Sequence, residues 1–268
     1  MHQLITIIRN TLSVFFRSFF LIPFNEWLSV WFLRGKEQIV TLDSLKVIIR
    51  TEKWSQKIVD LFMAVYCIAD KEYFNDRFKI RDTDVVVDIG GHIGAFSLIG
   101  GQRAFAGRVL VFEPDILNYV QLLKNLAINN LVHVEARNEA VGKEDGNRVL
   151  YSDSLNSAKS SLSRATETGR SVKIVSLPRI FEEHKIERCN FLKMDCEGAE
   201  YEILFNTPLS LLSRIENMVL EVHNPSYFGL TEPNYRPSIL KTFLEEAGFT
   251  LTVKKEDLMH DIYFASRR

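Results

Sequence analysis

Cysteine is scarce in this chain, and its placement argues against a zinc site or a disulfide framework. The 268 residues contain three cysteines, Cys67, Cys189 and Cys196, an odd number without the paired spacing of zinc ligands. Two of them lie among apolar residues. We therefore expect buried free thiols, as in proteins of a reducing compartment, and a cytoplasmic location.

An excess of charge of either sign is also lacking. The formal net charge is −1, with 46% hydrophobic and 25% charged residues. This balance gives no general attraction to nucleic acid, so we expect no nucleic-acid partner. A chain of this length and of ordinary globular composition buries one sizeable core and leaves room for an appendage.

A long uninterrupted apolar run is missing as well, although residues 1–34 are rich in Phe and Trp. A spanning helix needs about 18 or more apolar residues with few charges. This segment is divided by Arg9, Arg17, Glu26 and Arg34 and by Pro23. It also lacks the cleavage site of a signal peptide. The alternatives are helices packed on the globular domain, a homo-oligomer contact, or helices lying peripherally on the cytoplasmic membrane face.

The region from 36 to 83 has a different residue pattern, with strand-like stretches followed by a helix-like one. Gln38 to Thr41 and Leu45 to Arg50 are typical of two strands around a turn at Asp43-Ser44. Residues 58–66 carry apolar side chains at helical spacing. We expect a small cap that covers one edge of a larger sheet. Tyr73 and Phe74 either pack or close over a ligand.

The motif around which the chain is organised occupies residues 84–94. Val85 to Val87 predict a strand buried on both faces, Asp88 follows, and a glycine-rich turn leads into a helix. In open α/β sheets, such a turn binds nucleotides at the carboxyl ends of the strands. A carboxylate at Asp88 disfavours a pyrophosphate and suits a ligand with an ammonium and a sulfonium, such as S-adenosyl-L-methionine. The alternative is a tight turn without a ligand.

The next two strands end in polar residues that suit the same ligand. Arg108 to Phe112 predict a strand that ends at Glu113, placed to accept hydrogen bonds from ribose hydroxyls, while Asp115 suits the start of a helix reaching Asn129. After a third strand, Val132 to Glu135, either Asn138 or Glu139 is a candidate for the adenine amine or for a turn. The serine-rich residues 152–171, flanked by strands, predict a substrate loop or a solvated loop.

A second group of charged residues follows two later strands. Lys193, Asp195, Glu197 and Glu200 surround the end of one buried strand, and the strand from Met218 to Val222 leads to His223. So many charges at a buried strand end are costly unless they pair with each other or bind something. We expect His223 to be the general base, because its reference pKa suits that task, with Asp195 and Glu197 as competitors or orienting groups. The linear spacing shows no clear metal site, so we predict no metal.

These motifs together resemble the FkbM-type methyltransferases. The resemblance is carried by Asp-Ile-Gly-Gly-His-Ile-Gly at 88–94, Phe-Glu-Pro at 112–114, Lys-Met-Asp-Cys-Glu-Gly-Ala-Glu at 193–200 and Glu-Val-His at 221–223. It covers the chain from about residue 70 onward. The resemblance implies an S-adenosyl-L-methionine-dependent O-methyltransferase, with several members acting on sugar hydroxyls or related natural products. We therefore expect a sugar, glycan or glycolipid-type acceptor.

The resemblance also implies a fold and a set of cofactor contacts. The fold is a Rossmann-like class I methyltransferase with a seven-stranded, mostly parallel sheet, in which Phe249 to Lys254 and Asp261 to Ala265 form an antiparallel pair. His92 stands where the family commonly has Asn. The resemblance implies cofactor contacts at Asp88, Gly90, Gly94 and Glu113. The full predicted set of cofactor-binding residues adds Gly91, His92, Asn138 and Asp195.

The domain organisation and two rival functions complete the prediction. We expect an apolar helical segment at 1–35, a cap subdomain at 36–83 and the methyltransferase domain at 84–268. One rival is a catalytically inactive protein of this fold that serves as a binding scaffold. The other is an N-methyltransferase, suggested by Asn224-Pro225-Ser226-Tyr227, although this motif follows the fifth strand rather than the fourth.

Overall fold

The computed structural model describes residues 2–33, 35–153, 156–161, 169–256 and 259–267. The strands are β1 Glu37–Leu42, β2 Leu45–Arg50, β3 Val85–Ile89, β4 Arg108–Phe112, β5 Val134–Arg137, β6 Ala140–Gly142, β7 Gly146–Asp153, β8 Asn156–Ser161, β9 Gly169–Ser176, β10 Cys189–Met194, β11 Ile215–His223, β12 Thr250–Lys255 and β13 His260–Ser266. The α-helices are α1 His2–Leu21, α2 Phe24–Phe32, α3 Trp54–Ala64, α4 Ala95–Arg103, α5 Ile116–Ile128, α6 Leu177–Glu183, α7 Glu200–Phe205, α8 Leu209–Leu212 and α9 Pro237–Glu246. A π-helical turn at Val65–Ala69 extends α3.

A seven-stranded sheet forms the centre of the protein, in the order β12-β13-β11-β10-β3-β4-β5. Strands β5, β4, β3, β10 and β11 are parallel, and β13 runs antiparallel to both of its neighbours. This arrangement confirms the predicted mixed α/β, class I methyltransferase architecture. The carboxyl ends of β3, β4, β10 and β11 consequently lie along one edge, where the predicted site residues follow them.

Helices cover both faces of this sheet, which explains the continuous apolar runs of its central strands. Val86 points into a buried cluster with α4, α5 and the N-terminal elements, whereas Val87 and Ile89 point into a second cluster with α6, α7 and α9. Because helices cover both faces, the side chains on both faces of β3 are mainly apolar. The sequence of β3 is therefore a nearly continuous apolar run instead of an alternation of apolar and polar residues.

The N-terminal hairpin packs on a helix rather than on a sheet edge, which corrects the prediction. Asp43 and Ser44 form its turn with φ of 47° and 71°. The amide groups of β2 bond to side chains of α5: Asn129 Oδ1 accepts from Lys46 N at 2.9 Å, and Asn125 Oδ1 accepts from Ile48 N at 2.8 Å. These side chains satisfy backbone groups that a sheet edge would otherwise pair. The sequence pattern predicts the two strands but does not show which side chains bond to their amide groups.

The serine-rich excursion also differs from its prediction as a loop. Strands β6, β9, β7 and β8 form a second sheet of four strands, and β8 lies within the excursion. A polar segment can form a strand when antiparallel ladder partners are available, as β7 is here. Residues 154–155 and 162–168 lie outside the described part of the chain.

Helices α1 and α2 each bury one side in the core that lies over α3. Val14, Trp27 and Val30 belong to the same buried cluster as Leu61 and Val86, so segments on both sides of residue 83 share one core. The predicted domain boundaries at 35 and 83 remain predictions. Within the described ranges, none of the helices combines the length and the apolar character that crossing a bilayer requires.

Candidate active site

The glycine-rich turn lies directly against the end of β10. Gly90 N and Gly91 N both donate to Phe112 O, at 3.0 and 3.1 Å, which bends the chain sharply after β3. Gly90 has φ of +80°, and a Cβ there would lie 1.7 Å from Asp195 O. Glycine is therefore required twice, for its backbone conformation and for this close approach. The contact joins the predicted cofactor turn to the second group of charged residues.

Asp88 and Lys193 form a buried pair beneath this turn. Asp88 Oδ2 accepts a hydrogen bond from Ser97 Oγ at 2.6 Å, and Lys193 Nζ lies 3.4 Å from Asp88 Oδ1. Lys193 Nζ also donates to Gly90 O at 2.7 Å. Burial raises the pKa of Asp88, and Lys193 opposes that shift. The charge of Asp88, from which the type of ligand was predicted, is therefore balanced by Lys193 within the protein.

Glu113 lies at the end of β4 and ties two loops together. Its Oε2 accepts from His92 N at 2.7 Å, and its Oε1 accepts from Asp115 N at 2.8 Å. Burial raises the pKa of Glu113 to about 7. Asp115 caps α5 by accepting from Leu117 N and Asn118 N, which confirms its predicted role. Each Glu113 oxygen retains a lone pair for a further donor.

The two adenine candidates lie in different surroundings. Asn138 Nδ2 donates to Glu113 O at 2.8 Å and to Pro114 O at 3.0 Å, so this side chain borders the loop that carries Glu113. The carboxylate of Glu139 instead pairs with Lys173 on the second sheet, at 2.6 Å. Asn138 is therefore the candidate that the fold brings to the cofactor turn.

His92 is a buried residue in the left-handed region, with φ of 48°. Burial, followed by the charges of Arg50 and Lys193, lowers the pKa of His92 to about 3. The ring is therefore neutral at physiological pH. The left-handed conformation accounts for the usual Asn at this position, because Asn tolerates positive φ better than most residues.

Three carboxylates surround one nitrogen of His223 at the end of β11. His223 Nε2 lies 3.9 Å from Asp195 Oδ1, 3.8 Å from Glu197 Oε2 and 3.9 Å from Glu221 Oε2. The His223 side chain is 4% exposed. Tyr73 OH donates to Glu221 Oε1, so Tyr73 is buried beside this group rather than free to close over a ligand.

The other nitrogen of His223 is held by Glu200, at the start of α7. Glu200 Oε1 lies 3.2 Å from His223 Nδ1 and accepts from His223 N at 2.7 Å, while Glu200 Oε2 accepts from Gly198 N at 2.9 Å. Burial lowers the pKa of His223, but Glu200, Glu197 and Asp195 together raise it well above its ordinary value. These carboxylates therefore favour the protonated form of His223, and its role as the general base stays a prediction.

Sequence reasoning missed Ser97, which bonds to Asp88, and gave no site role to Glu221 beside His223. It left Tyr73 either to pack or to close over a ligand, and the structure packs it against Glu221. Glu221 had a signal, since it precedes His223 by two residues on a strand and therefore points to the same face. Ser97 lies about one helical turn after Gly94. Its hydrogen bond to Asp88 depends on the path of the glycine-rich loop, which the sequence alone does not show.

Asn224 has a local role that the N-methyltransferase motif would not give it. Its Oδ1 accepts from Ser226 N at 3.2 Å and from Ser226 Oγ at 2.9 Å, at the start of the short 3₁₀ helix Pro225–Tyr227. The side chain therefore caps a turn after β11, while Asp195 occupies the position after the fourth parallel strand.

Known proteins resemble this chain over most of the region that carries the site. The sequence model of the Methyltransferase FkbM domain matches residues 88–251, more than half of the chain. Methyltransferase 1 of Beauveria bassiana is 28% identical over 213 residues, covering 70% of this chain and 82% of that protein. The 31-O-demethyl-FK506 methyltransferase FkbM of Streptomyces tacrolimicus is 26% identical over 186 residues, covering 58% and 71%. Hexuronic acid methyltransferase AglP of Haloferax volcanii is 24% identical over 145 residues, covering 54% and 58%. The chain belongs to the FkbM methyltransferase family and is a methyltransferase.

Proposed function

We propose that this methyltransferase uses S-adenosyl-L-methionine and methylates a hydroxyl group of a sugar, glycan or glycolipid-type acceptor. The observation that carries the proposal is the convergence of Asp195, Glu197 and Glu221 beside the glycine-rich turn. Carboxylates accept hydrogen bonds from hydroxyl groups, and a sugar offers several such donors close together. Two relatives support this proposal, since the name of one specifies a 31-O position and the name of the other specifies a hexuronic acid.

The residues of the turn fit the proposed cofactor. A side chain at Gly90 would overlap the backbone of Asp195, so the turn exposes backbone in a narrow cleft. We assign the ribose hydroxyls to Glu113, which accepts from His92 N, and the adenine edge to Asn138, which donates to Glu113 O. Asp195, Glu197 and Glu221 lie at the neighbouring edge, and carboxylates there suit a ligand with positive charge. We assign Asp88, Gly90, Gly91, His92, Gly94, Glu113, Asn138 and Asp195 to the cofactor site.

The chemistry divides between the cofactor and the chain. When bound, S-adenosyl-L-methionine supplies a methyl group on a positively charged sulfur, which leaves readily. The protein then has to align the acceptor oxygen with that methyl group, and alignment is worth several kcal/mol, roughly 7–11 at best. It also has to receive the hydroxyl proton, which contributes about 10²- to 10⁴-fold. We assign the acceptor hydroxyl to the cluster of Asp195, Glu197 and His223, in which Glu200 fixes the histidine ring.

Isothermal titration calorimetry with S-adenosylmethionine and S-adenosylhomocysteine tests the cofactor assignment and the scaffold alternative together. An active methyltransferase binds both, whereas an inactive scaffold need bind neither. Mass spectrometry of glycans and lipids from a deletion strain then tests the acceptor class. Loss of a methyl group from a sugar hydroxyl in the deletion strain supports O-methylation. Loss of a methyl group from an amine would support the N-methyltransferase alternative.

We further propose that the outer side of α1 and α2 rests on a membrane surface, which would bring the site to a lipid-linked acceptor. Phe20 is 81% exposed, and Phe16, Phe24, Phe32 and Leu33 are also exposed. Arg17 pairs with Asp70 at 2.5 Å and lies over the ring of Tyr66, so its charge already has partners within the protein. Arg34 and the side chain of Arg9 lie outside the described residues. The proposed attachment is therefore mainly apolar, by insertion of aromatic rings.

A further inference from the structure

The cluster at His223 has the dimensions of a metal site. One ligand atom each from Asp195, Glu197 and His223 lies within 4.8 Å of the others. The separations of 3.9 and 3.8 Å from His223 Nε2 to Asp195 and Glu197 exceed hydrogen-bond length. Octahedral ligands about 2.1–2.2 Å from one ion lie about 3 Å apart when adjacent and about 4.3 Å apart when opposite. The observed separations fall between these values, so small side-chain movements would bring the three groups around a shared cation.

The orientation of His223 is an independent indication. Its Nδ1 lies 3.2 Å from Glu200 Oε1, whereas its Nε2 faces Asp195, Glu197 and Glu221 at 3.8 to 3.9 Å. The side chain is 4% exposed, so Nε2 is a buried polar atom directed into the carboxylates. Histidines that ligate metals usually donate their other ring N–H to a carboxylate, which fixes the ring and its tautomer. Glu200 occupies that place here.

Charge balance points the same way. Lys193 lies 3.7 Å from Asp195 Oδ2, but it is shared with Asp88 at 3.4 Å and with Gly90 O. Lys193 offsets part of the charge of Asp195, while the imidazoles of His223 and His260 face Glu197 and Glu221. Half-buried carboxylates at such distances repel each other, and a cation between them lowers that repulsion. A divalent ion at the centre would replace the proton on His223 Nε2 and offset two of the carboxylate charges.

We propose that Asp195, Glu197 and His223 bind a divalent cation of the Mn²⁺ or Mg²⁺ class, with Glu200 as the positioning residue of His223. Carboxylate oxygens suit Mg²⁺ and Mn²⁺, and a single imidazole is better tolerated by Mn²⁺. Three protein ligands leave coordination positions open, and neighbouring acceptor oxygens can occupy them. This role for the ion rests on the proposed O-methyltransferase function, although the ion site itself does not.

The inference goes against the prediction of no metal, which was made from linear spacing. Asp195 and Glu197 are two residues apart, but His223 follows the next parallel strand, 26 residues beyond Glu197. The ligand set exists only because β10 and β11 are neighbours in the sheet. Sequence spacing identifies metal sites when ligands share one loop or one helix, and this cluster is of neither kind.

Titration of the chelator-treated full chain with Mn²⁺, followed by electron paramagnetic resonance of the free ion, tests the site. We expect one bound Mn²⁺ per chain and competition by Mg²⁺. Glu197→Gln and Asp195→Asn, which preserve size, should each weaken binding by about tenfold or more, the size typical of damage to a ligand set. Glu246→Gln, on the exposed side of α9, is the matched control and should leave binding unchanged. A free-ion signal that is unaffected by the wild-type chain would overturn the proposal, as would equal weakening in the control.

Calorimetry with S-adenosylhomocysteine on the same samples separates this proposal from the proposed function. It also shows whether Glu197→Gln has folded, because Glu197 lies outside the assigned cofactor residues. Binding of S-adenosylhomocysteine without binding of Mn²⁺ overturns the ion site and leaves the cofactor assignment standing. Binding of Mn²⁺ without S-adenosylhomocysteine supports the ion site and removes the cofactor assignment. If both bind, chelation should abolish methyl transfer, and either Mn²⁺ or Mg²⁺ should restore it.

Discussion

Replacing Gly90 with Ala should both destabilise the protein and disrupt the proposed cofactor turn. The substitution adds one methyl group at a residue with φ of +80°. A residue with a Cβ in the left-handed region costs roughly 1–2 kcal/mol relative to glycine. The same methyl group would stand 1.7 Å from Asp195 O, a backbone atom that cannot rotate away.

Relief of that overlap requires the turn and the end of β10 to separate by more than 1 Å, since Cβ contacts below 3.0 Å are essentially never seen. Overpacking of a well-packed region typically costs about 1–3 kcal/mol. Together, the conformational and steric effects give a loss of about 2–5 kcal/mol in the free energy of unfolding. This is a large share of the stability of an ordinary domain, which is about 5–15 kcal/mol.

Gly229 provides a matched control that separates the two effects. Its φ is +67°, and a Cβ built there meets no atom within 4 Å. Gly229→Ala should therefore show only the conformational cost of about 1–2 kcal/mol. Urea denaturation of both variants measures the difference, which should be about 1–3 kcal/mol. Equal stability of Gly90→Ala and Gly229→Ala would refute the close approach of the turn to β10.

Three further predictions concern the cofactor turn and the N-terminal helices. Glu113→Ala should weaken S-adenosylhomocysteine binding, measured by calorimetry, by about 1.5–3 kcal/mol and should also lower the free energy of unfolding, because His92 N and Asp115 N lose their acceptor; unchanged affinity would move the ribose site away from Glu113. Because the pKa of His92 is lowered from 6.5 to about 3, its contribution to stability is complete above the unfolded-state pKa and is lost as pH falls toward 3. Between about pH 7 and about pH 4, the wild type should thus lose about 3 kcal/mol more than His92→Asn in denaturation experiments; parallel pH profiles would contradict a buried neutral imidazole. The full chain should float with anionic liposomes, whereas a chain starting at Gly35 should not; if both stay with the soluble fraction and the full chain instead forms a larger oligomer, the apolar face binds a second copy.

The sheet could be predicted from sequence because its strands are marked locally. Val85–Ile89 and Arg108–Phe112 are short β-branched runs that end in an acid or a glycine turn, and a strand covered on both faces must have that composition. The hairpin turn at Asp43-Ser44 was equally visible, because Asp and Ser are common turn residues and they stand between two strand-like runs. These signals lie within a few residues and do not depend on the rest of the fold.

The surroundings of the site residues could not be predicted in the same way. His223 was chosen as a base from the pKa of a free imidazole, but its pKa depends on Glu200 and Glu197, which approach from a different strand end. Strand β8 was missed because its side chains are polar and its only marker is pairing with β7. In both cases the deciding contact joins segments that are distant in sequence.

Lys193 shows how the two halves of the proposed site depend on each other. Its Nζ donates to Gly90 O at 2.7 Å and lies 3.4 Å from Asp88 and 3.7 Å from Asp195. The buried ammonium group of Lys193 therefore bonds to the glycine-rich turn at Gly90, balances the charge of Asp88 and lies close to Asp195. Removing it would leave Asp88 as an uncompensated buried charge, a change that typically costs about 3–5 kcal/mol. Two contacts therefore couple the cluster of Asp195, Glu197 and His223 to the glycine-rich turn. One acts through the charge of Lys193, and the other through the close packing of Gly90 against Asp195.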